Sequence, residues 1–193
     1  MKRVCVFCGS SAGTDPVYRD AAKRMGTALA RLGLGLVFGG GGIGLMGVLA
    51  TSALAAGVEV IGVIPRGLMT KEIAHEGVKD LRVVGSMHER KALMAELADA
   101  FIAIPGGYGT LEEFCEVVTW AQLGLHGKPC GLLNVNGYYR HFLAQLDHLV
   151  AEGFLNPVNR SLVLEHPEPA GLLALLEAYH SPVIDRWIDR EQT

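Results

Sequence analysis

Three glycine-rich segments, each directly after a short apolar run, constrain the fold of this 193-residue chain more than any other feature. They cover residues 8–13, 39–44 and 105–110, and each leads towards a stretch with helical periodicity. Strands that alternate with helices form βαβ units and a mostly parallel sheet. We therefore expect an α/β fold, a doubly wound, Rossmann-like three-layer sandwich, with residues 1–193 forming a single nucleotide-binding domain.

The boundaries of the elements follow from apolar periodicity and from capping residues. The apolar runs that predict strands are residues 3–7, 34–38, 58–64, 81–84, 100–104 and 129–133, with a short seventh strand at 161–164. Helices are predicted between an N-cap at Asp15 and a C-cap at Gly33, and at residues 45–56, 87–97, 110–123, 138–152 and 168–178. We expect residues 66–79 to form a loop with one helical turn. A tail from about residue 179 carries Trp187, which we expect to pack on the body or on a partner.

Charge and composition narrow the possible functions. The net charge is −3 and basic residues are not clustered, which argues against nucleic acid or a membrane surface as the partner. Apolar stretches are too short for a membrane span, and the apolar run after Lys2-Arg3 is too short for a signal peptide. We expect a cytoplasmic protein.

Cys5 and Cys8 match the C-x-x-C pattern of redox proteins and zinc sites. A redox cysteine needs a helix N-terminus, whereas Cys5 falls inside a predicted strand. Cys115 and Cys130 do not supply the second pair that a zinc site requires. Small buried residues are therefore the favoured interpretation.

The glycine-rich segments predict a phosphate site. At the carboxyl edge of a parallel sheet their backbone N–H groups and the following helix N-termini favour an anion. The alternative, that the glycines only form tight turns, is weaker for three such loops than for one. The candidate contacts from these loops, and from the start of the helix that follows the second loop, are Gly9, Ser10, Gly40, Gly41, Met46 and Gly106.

Other nucleotide and hydrolase motifs do not fit. Residues 42–47 read G-x-G-x-x-G, but they follow the second strand, and the third strand ends at Pro65 without an acidic residue, so NAD is not expected. The chain contains neither a G-x-x-x-x-G-K-[ST] phosphate loop nor a G-x-S-x-G elbow.

Two clusters of charged residues remain as candidates for the catalytic site. Ser86 and Glu89 are spaced as a capping box, so Arg90 and Lys91 fall near the positive end of a helix. Either solvent screens these two charges or an anion compensates them, and the anion is favoured because the segment follows a strand and so faces the same crevice. Thr110 and Glu113 have the same spacing, and a purely structural capping role would explain both. A carboxylate at this position suits a base or a stabiliser of positive charge better than an acid.

These residues resemble a known family. Residues 105–113 read PGGYGTLEE and match the P-G-G-x-G-T-x-x-E motif of the LONELY GUY (LOG) family, and residues 86–91 contain its M-H-x-R-K element. Residues 9–11, 39–47 and 119–124 also resemble the family, and the resemblance covers nearly the whole chain to about Ala178. Members are cytokinin riboside 5′-monophosphate phosphoribohydrolases, although many carry the label lysine decarboxylase. None of the six lysines lies in a recognisable pyridoxal phosphate site.

The resemblance implies a catalytic pair, Arg90 and Glu113. It implies phosphate and ribose contacts from Gly107, Tyr108, Gly109, Thr110 and Glu112, and further substrate contacts from Glu72, Lys91 and Thr119. It also implies hydrolysis of the base–ribose bond of a nucleoside 5′-monophosphate by a homodimer whose active sites lie near the interface. We expect no metal or organic cofactor. Two alternatives remain open: a general AMP or nucleoside-monophosphate nucleosidase, and a non-catalytic carrier of the molybdenum-cofactor type.

Overall fold

A computed structural model describes residues 1–69 and 74–182, which form a seven-stranded sheet covered by helices on both faces. The strands are β1 (Arg3–Phe7), β2 (Gly35–Phe38), β3 (Val60–Pro65), β4 (Asp80–Val84), β5 (Ala100–Ala103), β6 (Cys130–Leu133) and β7 (Val163–His166). Every neighbouring pair is parallel, in the order β4-β3-β2-β1-β5-β6-β7. The predicted doubly wound α/β fold is confirmed.

The helices are α1 (Pro16–Arg31), α2 (Gly44–Ala55), α3 (Met87–Leu97), α4 (Tyr108–Gln122), α5 (Arg140–Ala151), α6 (Pro157–Arg160) and α7 (Pro169–Glu177). Short 3-10 turns cover Arg66–Leu68, as expected in the polar segment, and Val135–Gly137. The turn at Val135–Gly137 delays the start of α5 to Arg140, two residues after the predicted start. The short helix α6 was not predicted, because four residues are too few to show an apolar period.

Two apolar layers hold the sandwich together. Side chains alternate along a strand, so Val4 and Val6 pack under α1, α2 and α7, whereas Cys5 and Phe7 pack under α3, α4 and α5. Five strands are buried almost throughout, as expected for strands covered on both faces: β1, β2, β3, β5 and β6.

The sequence of α1 shows why such a helix docks on the sheet. Asp15 caps it by accepting a hydrogen bond from the backbone N–H of Val17 at 2.9 Å, and Pro16 occupies the first turn. Met25 and Leu29, one turn apart, are fully buried. Burial of each such side chain contributes roughly 1.5–3 kcal/mol.

Within residues 1–69 and 74–182, no helix combines the length and the apolar character needed to cross a membrane. Two predicted features fall elsewhere in the chain. Glu72, a predicted substrate contact, and Trp187 in the tail both lie outside the described residues.

Candidate functional site

The three glycine-rich loops meet at the carboxyl edge of the sheet, where the strand order reverses between β1 and β5. The backbone N–H of Gly9 donates to the carbonyl of Pro105 at 3.2 Å, which joins the first loop to the third. The N–H of Leu45 donates to the carbonyl of Gly9 at 3.0 Å, which joins the second loop to the first. Ligands of open α/β sheets bind at this point of the fold.

A cavity of about 280 Å³ opens above these loops. Its wall contains ten of the predicted site residues: Gly9, Ser10, Met46, Arg90, Gly107, Tyr108, Gly109, Thr110, Glu112 and Glu113. The phenol of Tyr108 stands at the rim and the residue is 94% exposed. Residues from four separate stretches of sequence thus surround one space.

Of the predicted site residues that the structure describes, five lie outside the cavity wall. Gly40 and Gly41 instead hold the chain that returns after β3, because the carbonyl of Gly40 accepts from His75 and Gly41 bridges to Ala74. The other three take different places: Gly106 packs beneath the loop, Lys91 forms ion pairs on α4, and Thr119 lies exposed farther along α4.

Packing between the loops explains some of the glycines. A Cβ atom on Gly106 would lie 2.1 Å from Oγ1 of Thr110 and 2.8 Å from the backbone nitrogen of Gly9. A Cβ atom on Gly107 or Gly109, by contrast, would meet no atom within 4 Å. The tight-turn explanation therefore accounts for Gly106, whereas Gly107 and Gly109 leave open space in front of the helix.

Helix α4 begins at Tyr108, with Gly107 as its N-cap, two residues earlier than predicted. Thr110 is therefore inside the first turn, and the proposed capping box of Thr110 and Glu113 is wrong. Gly107 has no side chain that could cap the helix, so the first N–H groups of α4 face the cavity edge without a side-chain acceptor. Such a helix end favours an anion.

Arg90 is buried, with 5% of its surface exposed, and two backbone carbonyls fix its guanidinium group. Nε donates to the carbonyl of Val63 at 3.1 Å, in the second half of β3. Nη2 donates to the carbonyl of Gly39 at 3.2 Å, just after β2. The remaining nitrogen, Nη1, lies 3.8 Å from Oε1 of Glu113, which is 8% exposed.

The N-terminus of α3 supports this arrangement. Ser86 accepts a hydrogen bond from the backbone N–H of Glu89 at 3.1 Å, and the carboxylate of Glu89 accepts from the N–H of Gly85 at 2.7 Å. The predicted cap at Ser86 is confirmed. It starts α3 at Met87 and so places Arg90 just past the first turn, facing the ends of β2 and β3.

Lys91 connects α3 to the outer side of α4. Its Nζ atom lies 2.5 Å from Oε1 of Glu112 and 3.0 Å from Oε1 of Glu116. Burial lowers the pKa of Lys91, but the hydrogen bonds to the two carboxylates outweigh it and leave the pKa above its ordinary value. Glu112 and Glu116 therefore share one side of α4 and Glu113 takes the other, towards Arg90.

Sequence patterns missed several residues of the wall. Leu68, Met87 and Met94 add apolar surface next to Arg90, and Gly39 contributes the carbonyl that holds its guanidinium group. Methionines in a helix pattern look like core residues, so no local signal marks them as part of a cavity. Cys8 also lines the cavity.

Two tyrosines brace the third loop from behind. The hydroxyl of Tyr138 donates to the carbonyl of Gly106 at 2.6 Å, and that of Tyr139 donates to the carbonyl of Ile104 at 2.8 Å. Both residues were predicted only as part of α5. Their contacts depend on the order of β5 and β6 in the sheet, which local sequence does not specify.

Cys5, Cys8 and Cys130 are small buried residues, as expected for the C-x-x-C pair, whereas Cys115 is exposed. Burial raises the pKa of Cys5 and of Cys8 well above the ordinary value, and the carboxylate of Glu113 acts in the same direction. Burial also raises the pKa of Cys130 to about 12. A redox dithiol needs a cysteine with a lowered pKa, whereas the pKa values of Cys5 and Cys8 are both raised. This C-x-x-C pair is therefore unsuited to redox chemistry.

Two kinds of comparison, with a family model and with individual relatives, place the chain in the same family. Residues 46–176 match the family described as possible lysine decarboxylase. The chain is 53% identical over 178 residues to cytokinin riboside 5′-monophosphate phosphoribohydrolase LOG1 of Arabidopsis thaliana, covering 92% of this chain and 84% of the relative. It is 55% identical over 178 residues to the probable phosphoribohydrolase LOGL9 of Oryza sativa subsp. japonica, covering 92% and 78%.

Solved structures share the fold at lower identity. The molybdenum cofactor carrier protein of Chlamydomonas reinhardtii superposes with a TM-score of 0.70 at 23% identity, over 91% of this chain and 96% of that one. The molybdenum cofactor binding protein of Rippkaea orientalis gives 0.69 at 22% identity, over 92% and 97%. At this identity the similarity establishes the fold alone.

Proposed function

The chain belongs to the LONELY GUY family, and on that premise we propose that it hydrolyses the N-glycosidic bond of a cytokinin riboside 5′-monophosphate. The products are the free base and ribose 5-phosphate. The observation that carries the proposal is the buried pair of Arg90 and Glu113, 3.8 Å apart beside an uncapped helix N-terminus in one cavity.

The 5′-phosphate binds at the N-terminus of α4. The open space in front of Gly107 and Gly109 lets phosphate oxygens approach the backbone N–H groups closely. The helix dipole and these N–H groups stabilise the dianion. Ser10 and Thr110 belong to the same wall.

Glu113 acts on the sugar. It follows Gly109 by four residues, so it lies roughly 6 Å farther along the helix axis, about one sugar ring from the phosphate. Cleavage of the bond between base and ribose builds positive charge on the ring. The carboxylate of Glu113 stabilises that charge or orients the attacking water, and Arg90 holds the carboxylate in place.

The base lies against the apolar part of the wall. Met46, Leu68, Met87 and Met94 surround the side of the cavity next to Arg90. Thioethers are adaptable and make favourable contacts with aromatic rings. This surface suits a purine with an apolar substituent on N6, which favours the cytokinin nucleotide over AMP as the better substrate.

Lysine decarboxylation does not fit the same cavity. Pyridoxal phosphate needs a lysine to form a Schiff base. The described residues of the cavity wall include no lysine, and the neighbouring Lys91 is bound between Glu112 and Glu116. The chemistry of the residues present therefore supports hydrolysis instead.

We also propose that two copies associate through α3 and α4. A groove of about 590 Å³ between these helices is lined by Ala92, Ala95, Trp120 and Leu125, next to Glu116. Because α3 and α4 also carry Arg90 and Glu113, a dimer on this face would bring its active sites close to the interface. Light scattering should give the mass of a dimer, and Trp120→Asp should give monomers. A monomeric wild-type protein would contradict the association.

Turnover of two nucleotides tests the function. The protein is incubated with AMP and with isopentenyladenosine 5′-monophosphate, and free base is measured by chromatography. We expect base from both, with a higher kcat/KM for the isopentenyl nucleotide. Equal values would favour the general nucleosidase, and tight pterin binding with no base from either nucleotide would favour the carrier.

A further inference from the structure

Gly39, directly after β2, leaves the space that the guanidinium group of Arg90 fills. A Cβ atom on Gly39 would lie 1.9 Å from Nη2 of Arg90 and 3.1 Å from its Cζ. The carbonyl of the same residue accepts a hydrogen bond from Nη2 at 3.2 Å. Gly39 therefore both holds the arginine and makes room for it.

We propose that Gly39 is a positioning residue, whose missing side chain keeps Arg90 aligned with Glu113. The inference deepens the proposed function, because it assumes that this pair carries the hydrolysis. Gly39 acts only through Arg90 and needs no contact with the substrate.

The backbone of Gly39 does not require glycine. Its φ angle is not among the positive values found at Gly40 and Gly44 in the same loop. An L-residue can therefore adopt its conformation without strain. What excludes a side chain at this position is the occupied volume in front of it.

A methyl group at residue 39 displaces the arginine and not the fold. The atoms in its way are the end of the Arg90 side chain and the Sδ atom of Met46 at 3.2 Å, both of them flexible. An ordinary contact distance is about 3.5 Å, so the guanidinium group has to move by more than about 1 Å. This movement breaks the hydrogen bond from Nη2 to Gly39 and shifts Nη1 relative to Glu113.

Gly39→Ala tests the inference, with Gly35→Ala as a matched control. Gly35 begins the same strand, and a Cβ atom there would lie 2.9 Å from Oε2 of Glu59 and 3.0 Å from Cγ of Arg3, far from the cavity. We expect kcat of Gly39→Ala to fall on the order of 100-fold, since a misplacement of about 1 Å has that effect, with a smaller change in KM. Gly35→Ala should retain wild-type kcat. The Tm of Gly39→Ala should fall, because the displaced guanidinium group loses a buried hydrogen bond.

A double variant separates the displacement of Arg90 from any effect of Gly39→Ala that does not involve Arg90. In an Arg90→Ala background there is no guanidinium group to displace, so adding Gly39→Ala should change neither nucleotide affinity nor Tm. A further loss of affinity in that background would overturn the proposal. So would wild-type kcat in the single variant, or a Gly39→Ala chain that fails to fold both with Arg90 and without it.

A crystal structure of Gly39→Ala keeps this test independent of the proposed function. If the wild type releases no base, the proposed hydrolysis fails, but the position of Arg90 can still be read. A guanidinium group displaced from the carbonyl of Gly39 supports the positioning role. An unmoved guanidinium group contradicts it, whatever the activity.

Discussion

Nη1 of Arg90 lies 3.8 Å from Oε1 of Glu113, although the two residues stand on different helices, α3 and α4. Both helices follow strands, β4 and β5, that lie on opposite sides of β1 in the sheet. The pair therefore forms only in the folded chain, across the point where the strand order reverses. Burial makes the pair sensitive to the loss of either partner, because the other charge is left without compensation.

Gly109→Ala should separate phosphate binding from stability. The new methyl group meets no protein atom within 4 Å, and alanine is favoured over glycine in a helix by roughly 0.5–1 kcal/mol, so stability should hold or rise. The methyl group occupies the space proposed for the phosphate. If the methyl group removes one hydrogen bond between this turn of α4 and the phosphate, AMP should bind roughly 10- to 100-fold more weakly.

Isothermal titration with AMP and urea unfolding measure the two effects. Gly67→Ala is the control, because that glycine also has open space around its Cβ position and does not line the cavity. Unchanged AMP affinity in Gly109→Ala would show that the phosphate does not approach this turn of α4.

Ser86→Ala should destabilise the chain by about 1 kcal/mol, the usual cost of removing an N-cap. The serine hydroxyl accepts from the N–H of Glu89 at 3.1 Å, and alanine leaves that donor without its partner. Urea unfolding should show a lower midpoint at an unchanged m value. Asp15→Ala, which removes the cap of α1, should cost a similar amount. An unchanged midpoint for Ser86→Ala would mean that the cap contributes nothing.

Lys91 should stabilise the fold in a pH-dependent way. Its pKa is raised above the ordinary 10.5 by Glu112 and Glu116, against the lowering effect of burial. A raised pKa gives a stabilisation that is complete below pH 10.5 and is lost as the pH rises through the folded-state pKa. The difference in unfolding free energy between wild type and Lys91→Met should stay constant from neutral pH to pH 10.5. Above pH 10.5 it should shrink as the pH approaches and passes the folded-state pKa of Lys91. A difference that stays constant throughout would contradict this assignment.

Much of the fold could be predicted from the sequence, because strands buried on both faces are continuous apolar runs. β1 was predicted with its observed bounds, and α3 likewise from the cap at Ser86. The start of α4 was misplaced because Thr110 and Glu113 have the spacing of a capping box, while the actual N-cap, Gly107, has no side chain to signal it.

The site was less predictable, since its contacts join distant segments. Motif residues such as Arg90 and Glu113 were found by resemblance, and the shared edge of the strands explains why they meet. The role of Gly39 depends on the path of the Arg90 side chain, and that of Tyr138 depends on the neighbouring strand. Neither leaves a periodic pattern in the sequence.

Release of base by Glu113→Gln shows whether the carboxylate of Glu113 acts in the hydrolysis. Glutamine keeps the size of the side chain but removes the charge that stabilises the ring. Glu116→Gln on the same helix is the matched control, because Glu116 pairs with Lys91 outside the cavity wall. We expect Glu113→Gln to bind isopentenyladenosine 5′-monophosphate but to release no detectable base, while Glu116→Gln retains turnover. Wild-type release by Glu113→Gln would contradict this expectation.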